Sequence, residues 1–236
     1  MRVRPSRVLG VDGCRGGWLA ALVDDRDVSW RWTRDVRELI ATPADAIAID
    51  IPIGLPDRGR RACDIEARRL LGRRGTTVFA APLRPVLGCA SYGEARQVLA
   101  TLGGPSMSAQ AFGIVPAVRA VDAAITPDDE GQVIEAHPEL AFLRMCDRPL
   151  AAKKTELGAA ERVAALDLSW AGDTSTGRGW AGAAALVASA PKPAGTDDAL
   201  DALACAWVAR RWVCGVAATV GDGTRDRRGL VMRIVS

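Results

Sequence analysis

The chain has 236 residues, 49% of them hydrophobic and 25% charged, with a formal net charge of +3. That length and mixture mark an ordinary globular protein able to bury a full core. No apolar run approaches the ~20 residues that cross a bilayer, and the apolar residues after the basic start Met1–Arg7 are broken at once by Asp12 and Arg15, which a secretory signal would not tolerate.

Six cysteines (Cys14, Cys63, Cys89, Cys146, Cys205, Cys214) are scattered without a C-x-x-C pair, and His137 is the only histidine. Neither a zinc site nor a disulfide framework is indicated, and a reducing cytoplasm is the expected location. The net charge is too small to argue for nucleic acid by itself, but arginines cluster. Arg58–Arg74 holds seven against Asp64 and Glu66, and Arg225, Arg227, Arg228 and Arg233 form a second group. Only Lys153, Lys154 and Lys192 are lysines, so the arginine content reads largely as compositional bias.

In chain order, Arg7–Asp12 reads as an apolar strand ending in a carboxylate, Gly13–Gly17 as a glycine-rich turn and Trp18–Val23 as a second strand, which together make a hairpin. After a polar turn at Asp24–Asp27, Val28–Trp32 alternates as a half-buried third strand. Asp35–Ala41 is a short amphipathic helix. Ala46–Ile51 is a fourth strand, expected parallel to the first because a helical crossover precedes it. The stretch from about 56 to 130 reads as a helical insertion within a single domain spanning 1–236: Ala62–Leu71, then Ser91–Leu102 opening with the capping box Ser91-x-x-Glu94, then Ser108–Ile125 interrupted at Pro116. Gln132–Ala136 returns to strand character, with helices expected over Pro138–Met145 and Thr155–Leu166, a loop over Ser169–Gly179 and a helix over Trp180–Ala190. Thr196 is read as the N-cap of a helix over Asp197–Cys214, and Leu230–Val235 as a last strand for the same sheet. The fold class is thus α/β, a mixed sheet of antiparallel hairpin strands plus parallel strands, flanked by helices.

Carboxylates at the ends of adjacent parallel strands share one sheet edge, where α/β proteins place ligands. Asp12 and Asp50 fit that geometry. Asp198 and Asp201, at i and i+3, project from one helix face and can point at the first two if the helix packs over that edge. Hard cations such as Mg²⁺ or Mn²⁺ take such oxygen ligands. Two ions ~3.5–4 Å apart activate water and stabilise a leaving oxygen in phosphodiester hydrolysis. Each acid alone has a plainer reading: Asp12 as a hairpin residue, Asp50 as a strand-end cap, Asp197 and Asp198 as the charge a helix N-terminus prefers. Asp201 lies beyond the first turn, beside Leu200 and Leu203, and resists such a reading.

Asp12 in V-L-G-V-D-G-C-R-G-G-W, Asp50 in A-I-D-I-P-I-G-L-P, and the segments R-A-C-D-I-E-A-R-R-L-L-G, V-F-A-A-P-L-R, E-A-H-P-E-L-A-F and D-D-A-L-D-A-L-A resemble the predicted RNase H-like nucleases grouped as the domain-of-unknown-function family numbered 429. The resemblance covers almost the whole chain. The run Asp198–Ala204 is also similar to the last-helix motif of bacterial Holliday-junction resolvases, which share the RNase H-like fold. The resemblance implies an RNase H-like sheet, with Asp12, Asp50, Asp198 and Asp201 as ligands of Mg²⁺ or Mn²⁺ and nucleic acid as the partner.

Glu135 and His137 follow a strand and are candidates for a further metal ligand and a proton carrier. Arg15, in the glycine turn, and Lys153 and Lys154 are candidate phosphate contacts, and Arg58–Arg74 a candidate backbone clamp. The tryptophans, Trp207 and Trp212 included, are read as packing. The expected activity is metal-dependent hydrolysis of nucleic acid. Two rivals stand beside it: an actin-like nucleotide-binding lobe, because D-G-C-R-G-G resembles the phosphate turn of actin-like sugar kinases, and a non-catalytic binding module on the same fold. Substrate and oligomeric state are not legible at this level.

Overall fold

The computed structural model describes residues 7–24, 27–171 and 180–236. The basic start before Arg7, the centre of the Asp24–Asp27 turn and residues 172–179 of the expected Ser169–Gly179 loop lie outside the described residues.

Strands β1 (Arg7–Cys14), β2 (Gly17–Asp24), β3 (Asp27–Thr33), β4 (Ala46–Ile49) and β5 (Val133–Glu135) form a mixed sheet in the order β3-β2-β1-β4-β5. β1, β2 and β3 pair antiparallel, while β4 runs parallel to β1 and β5 parallel to β4. β1 and β4 are central and buried on both faces, which is why they read as near-continuous apolar runs. β3 is the edge strand and alternates; its Trp30 indole donates to the Leu186 carbonyl (3.0 Å), tying that edge to a helix.

Side chains alternate between the two faces. Leu9, Val11, Ile47, Ile49 and Val133 pack with Val36 and Leu39 of α1 (Val36–Ile40) and with Val118 and Val121 of α5 (Val115–Ala124). Val8, Ala46, Ala48 and Ile134 face the long helix α9 (Thr196–Val213), with α7 (Glu156–Ala171) and α8 (Ala183–Ala188) beside it. α9 sits very close to β1. A Cβ built on Gly10 would fall 2.0 Å from the Ala206 amide nitrogen and 2.1 Å from the Ala202 carbonyl oxygen. Glycine at 10, alanines at 46 and 48, and the alanine-rich face of α9 permit this backbone approach.

Between β4 and β5 the chain forms α2 (Ala62–Leu71), α3 (Tyr92–Thr101), α4 (Ala109–Gly113) and α5, with 3-10 turns at Gly72–Thr77 and Arg84–Gly88. Ser91 caps α3 by accepting from the Glu94 amide, while the Glu94 carboxylate reaches back to the Ala90 amide. After β5 comes α6 (Pro138–Cys146).

Four expectations are corrected. The sixth and last strands, β6 (Thr219–Val220) and β7 (Ile234–Val235), pair in a separate two-stranded sheet, and a single parallel bridge from Val235 to Ala136 links β7 to the end of β5. Leu230–Val235 therefore does not extend the main sheet. α7 runs on to Ala171, past the expected stop at Leu166. The Trp180–Ala190 helix is shorter, Ala183–Ala188. The N-cap of α9 is Gly195 rather than Thr196, because the Asp198 carboxylate closes the turn from within by accepting from the Gly195 amide (2.8 Å). No helix among the described residues is long and apolar enough to cross a membrane.

Candidate metal centre

The face that takes Val8 and Gly10 to α9 also takes Asp12, two residues further along β1. The face that takes Ala46 and Ala48 there takes Asp50, the residue after β4. Their strands are held in step by the Asp50 amide, which donates to the Val11 carbonyl (3.0 Å). α9 supplies Asp201 from its second turn. Asp12 is 8% exposed and Asp201 4%, and Asp50 is half-buried.

These acids line a cleft of about 1060 Å³ at the carboxyl edge of the parallel strands. It is also lined by residues of the 74–79 segment, by Glu139 of α6 and by Gln110, Ile114 and Ala117 of the α4–α5 region. The electrostatics are those of negative charge held out of water. Burial, then the neighbouring Asp201, Asp50 and Asp198, pushes the Asp12 carboxyl well above the usual carboxylate range. Burial raises Asp50 to about 7, with Lys153 opposing and Glu139 adding to the shift. Burial likewise raises Asp201 to about 6, against the Lys153 ammonium, whose Nζ donates to Asp201 Oδ2 at 2.9 Å. Lys153 is thus a counter-charge inside the acid cluster rather than a free surface cation.

The other expected residues fall into place around this centre. Asp198 lies within electrostatic reach of Asp12, but its carboxylate is turned back to the Gly195 amide and does not line the cleft. Glu135 faces the opposite side of the sheet from Ile134 and Ala136, and both its oxygens meet Arg61 (2.6 and 2.7 Å), with the Ile53 amide donating to Oε2 (2.7 Å). Arg15 is exposed in the two-residue turn between Cys14 and Gly17, and Lys154 is exposed; neither lines the cleft. His137 does line it. Burial lowers its pKa, so the imidazole is neutral at pH 7, and its buried Nδ1 has no hydrogen-bond partner.

The arginine groups are spent only in part, since Arg58, Arg60, Arg69 and Arg73 are exposed and make no ion pair among the described residues. In Arg58–Arg74, Arg61 also holds Asp64 at 2.5 Å, Arg68 donates to the Val78 carbonyl, and Arg74 approaches Glu139 at 3.5 Å. In the second group, Arg225 and Arg233 pair with Glu130, Arg228 with Asp122 and Arg227 with Asp57.

Glu139 is the residue sequence reading passed over. It is 7% exposed, lines the cleft near Asp50 and Asp201, and is held by Arg162 at 2.5 Å. The signal was the E-A-H-P-E run itself. Pro138 starts a helix, so position 139 turns back to the side of the aspartates instead of continuing the strand alternation.

The donor set is one of hard oxygens and suits Mg²⁺ or Mn²⁺. Among the described residues, no group of three His, Cys, Asp or Glu side chains is drawn together as a metal-holding set. Like charges in a shared low-dielectric cleft repel, and Asp201 is drawn to Lys153 instead. A cation binding there has to gather the acids and discharge their protons.

Neutralising one acid tests this environment. A carboxyl raised from 3.8 to about 7 in the folded state lowers stability progressively as pH rises through that window, because the unfolded chain ionises first. Asp50→Asn is therefore expected to match the parent below about pH 4 and to melt on the order of 2–10 °C higher at pH 8 without divalent ions, from ~1–3 kcal/mol. An Asn variant less stable than the parent at pH 8 would show that the carboxylate is well accommodated.

No curated protein and no solved structure matches this chain. A family model does match, across residues 10–225, a span that holds Asp12, Asp50, Glu139 and Asp201 alike. The chain belongs to the family described as "Protein of unknown function (DUF429)".

Proposed function

We propose that this chain is an RNase H-like, divalent-metal-dependent nuclease that hydrolyses phosphodiester bonds in nucleic acid. The observation that carries the reading is the convergence of Asp12, Asp50 and Asp201 on one cleft, from β1, the end of β4 and α9, with their charge uncompensated except by Lys153. The strand order β3-β2-β1-β4-β5, with only β2 antiparallel to the rest, supports the RNase H-like assignment.

Asp12, Asp50 and Asp201 are the residues that would hold Mg²⁺ or Mn²⁺, with Glu139 nearby. A bound ion of this kind supplies Lewis-acid stabilisation of phosphoryl oxygens and a more acidic water. The chain's own groups do the rest. His137, held neutral by burial, lines the same cleft as a candidate proton acceptor. Lys153 fixes the Asp201 carboxylate and keeps two ammonium protons for other acceptors. The nucleotide-binding alternative has less support, because Cys14 pairs directly with Gly17 and the glycine turn is a tight hairpin rather than an open phosphate cradle.

The test is incubation with Mn²⁺ and a panel of RNA, hybrid, single-stranded and branched DNA, beside an Asp12→Asn control. Cleavage is expected to fall by about 10³-fold in the control, since the metal accounts for several kcal/mol and each 1.36 kcal/mol is tenfold. Equal cleavage by both proteins, or none by either, removes the nuclease reading.

A further inference from the structure

We propose that Phe79, Arg74 and Arg34 form a subsite for an unpaired nucleotide, so that the cleft takes single-stranded nucleic acid and not a duplex; this rests on the nuclease reading above.

The shape comes first. At about 1060 Å³ the cleft lies at the upper end of the ~300–1,000 Å³ usual for small-ligand pockets, room for one to a few nucleotides. The acids are recessed in it, Asp12 and Asp201 being only 8% and 4% exposed. A phosphodiester on the surface of a stiff double helix would have to reach carboxylates that are almost wholly covered. A strand with splayed bases can enter one nucleotide at a time, as enzymes acting on extruded nucleotides require.

The chemistry of the wall matches such a guest. Val78 points inward and is 1% exposed, packed with Leu71 and Leu140, so the next residue, Phe79, turns to the cleft. Phe79 is half-buried, belongs to none of the apolar clusters and has no aromatic partner among the described residues. A half-buried phenyl ring that lines a polar cleft without an aromatic partner is available for stacking on a planar guest.

Candidate phosphate donors line the same cleft. Arg74 lines the cleft with its Nε buried and unpartnered and its Nη2 at a long 3.5 Å from Glu139. Arg34, which follows β3 and also lines the cleft, is exposed and makes no ion pair among the described residues, its guanidinium lying 6.0 Å over the Trp32 ring. Arg34 is unpaired among the described residues and Arg74 has only its long contact to Glu139, while the Arg225–Arg233 group is paired with acids. An aromatic ring that shares a cleft with guanidiniums is the combination that binds single strands: a sequence-tolerant stack plus phosphate contacts.

The experiment uses the full chain carrying Asp12→Asn, so that nothing is cut, with Mg²⁺ present. Binding of fluorescent single-stranded DNA, single-stranded RNA and a duplex of equal length is read by anisotropy. Single strands of one or both sugars are expected to bind at least about tenfold tighter than the duplex. Phe79→Ala is expected to weaken them roughly 5- to 150-fold, and Phe79→Tyr to restore the affinity. Arg74→Gln is expected to lower the salt slope by about one contact. Phe79→Leu keeps the apolar volume without the stack, so it separates stacking from folding; its binding loss should come with an unchanged melting temperature. Duplex binding equal to or tighter than single-strand binding, no binding at all, or parent-like affinity in folded Phe79→Ala and Phe79→Leu overturns the subsite. The cleavage assay with Asp12 intact judges the nuclease reading separately.

Discussion

Replacing Gly10 by valine is expected to cost this fold more than about 4 kcal/mol, enough to leave little native protein. Added side-chain volume in a packed core typically costs ~1–3 kcal/mol when neighbouring side chains can yield. Here the obstacles are the Ala206 amide nitrogen and Ala202 carbonyl oxygen at 2.0 and 2.1 Å, main-chain atoms of an 18-residue helix that can move only as a body. Gly10→Ala meets the same two atoms and should lose somewhat less. The measurement is urea unfolding followed by circular dichroism; a Gly10→Val midpoint equal to the parent's would mean that α9 is not seated on β1 as described.

The second large effect is expected at Arg61. Its guanidinium is 1% exposed and holds Asp64 and Glu135, which are 2% and 5% exposed, while also donating to the Ile53 carbonyl. Arg61→Met keeps much of the volume but leaves two carboxylates buried without their cation, and breaking such a pair from one side costs about 3–5 kcal/mol. The loss should shrink as pH falls toward 4, where the orphaned acids take up protons and the buried charge disappears. Thermal melts of Arg61→Met at pH 7.5 and pH 5 check both parts. A loss under about 1 kcal/mol, or one that grows at low pH, would contradict the buried network.

Much of the sheet was readable because its cues are local. The apolar β1 and β4, the alternating β3 and the capping at Ser91 each declare themselves within a few residues, and a crossover then fixes β4 parallel to β1. The placing of Asp12 and Asp50 at one edge followed from that topology. What escaped reading depended on distant partners. Nothing near Arg61 announces that Glu135 will be its counter-ion, so the stretch around it looked like a solvated clamp and Glu135 like a free ligand. Asp198 and Asp201 share a helix face in the sequence, yet one closes the helix terminus while the other meets Lys153; only the packed position of the N-terminus separates them. The two-residue strands β6 and β7 are too short for any periodicity to register.

Gly10 carries one more implication. Because Asp12 and Asp201 ride on two backbones pressed against each other, their separation is set by main-chain contact and not by the lengths of intervening side chains. Core substitutions can therefore hardly retune the spacing of these two acids. Diversification of what the cleft accepts is left to lining residues outside the packed core such as Phe79 and Gln110.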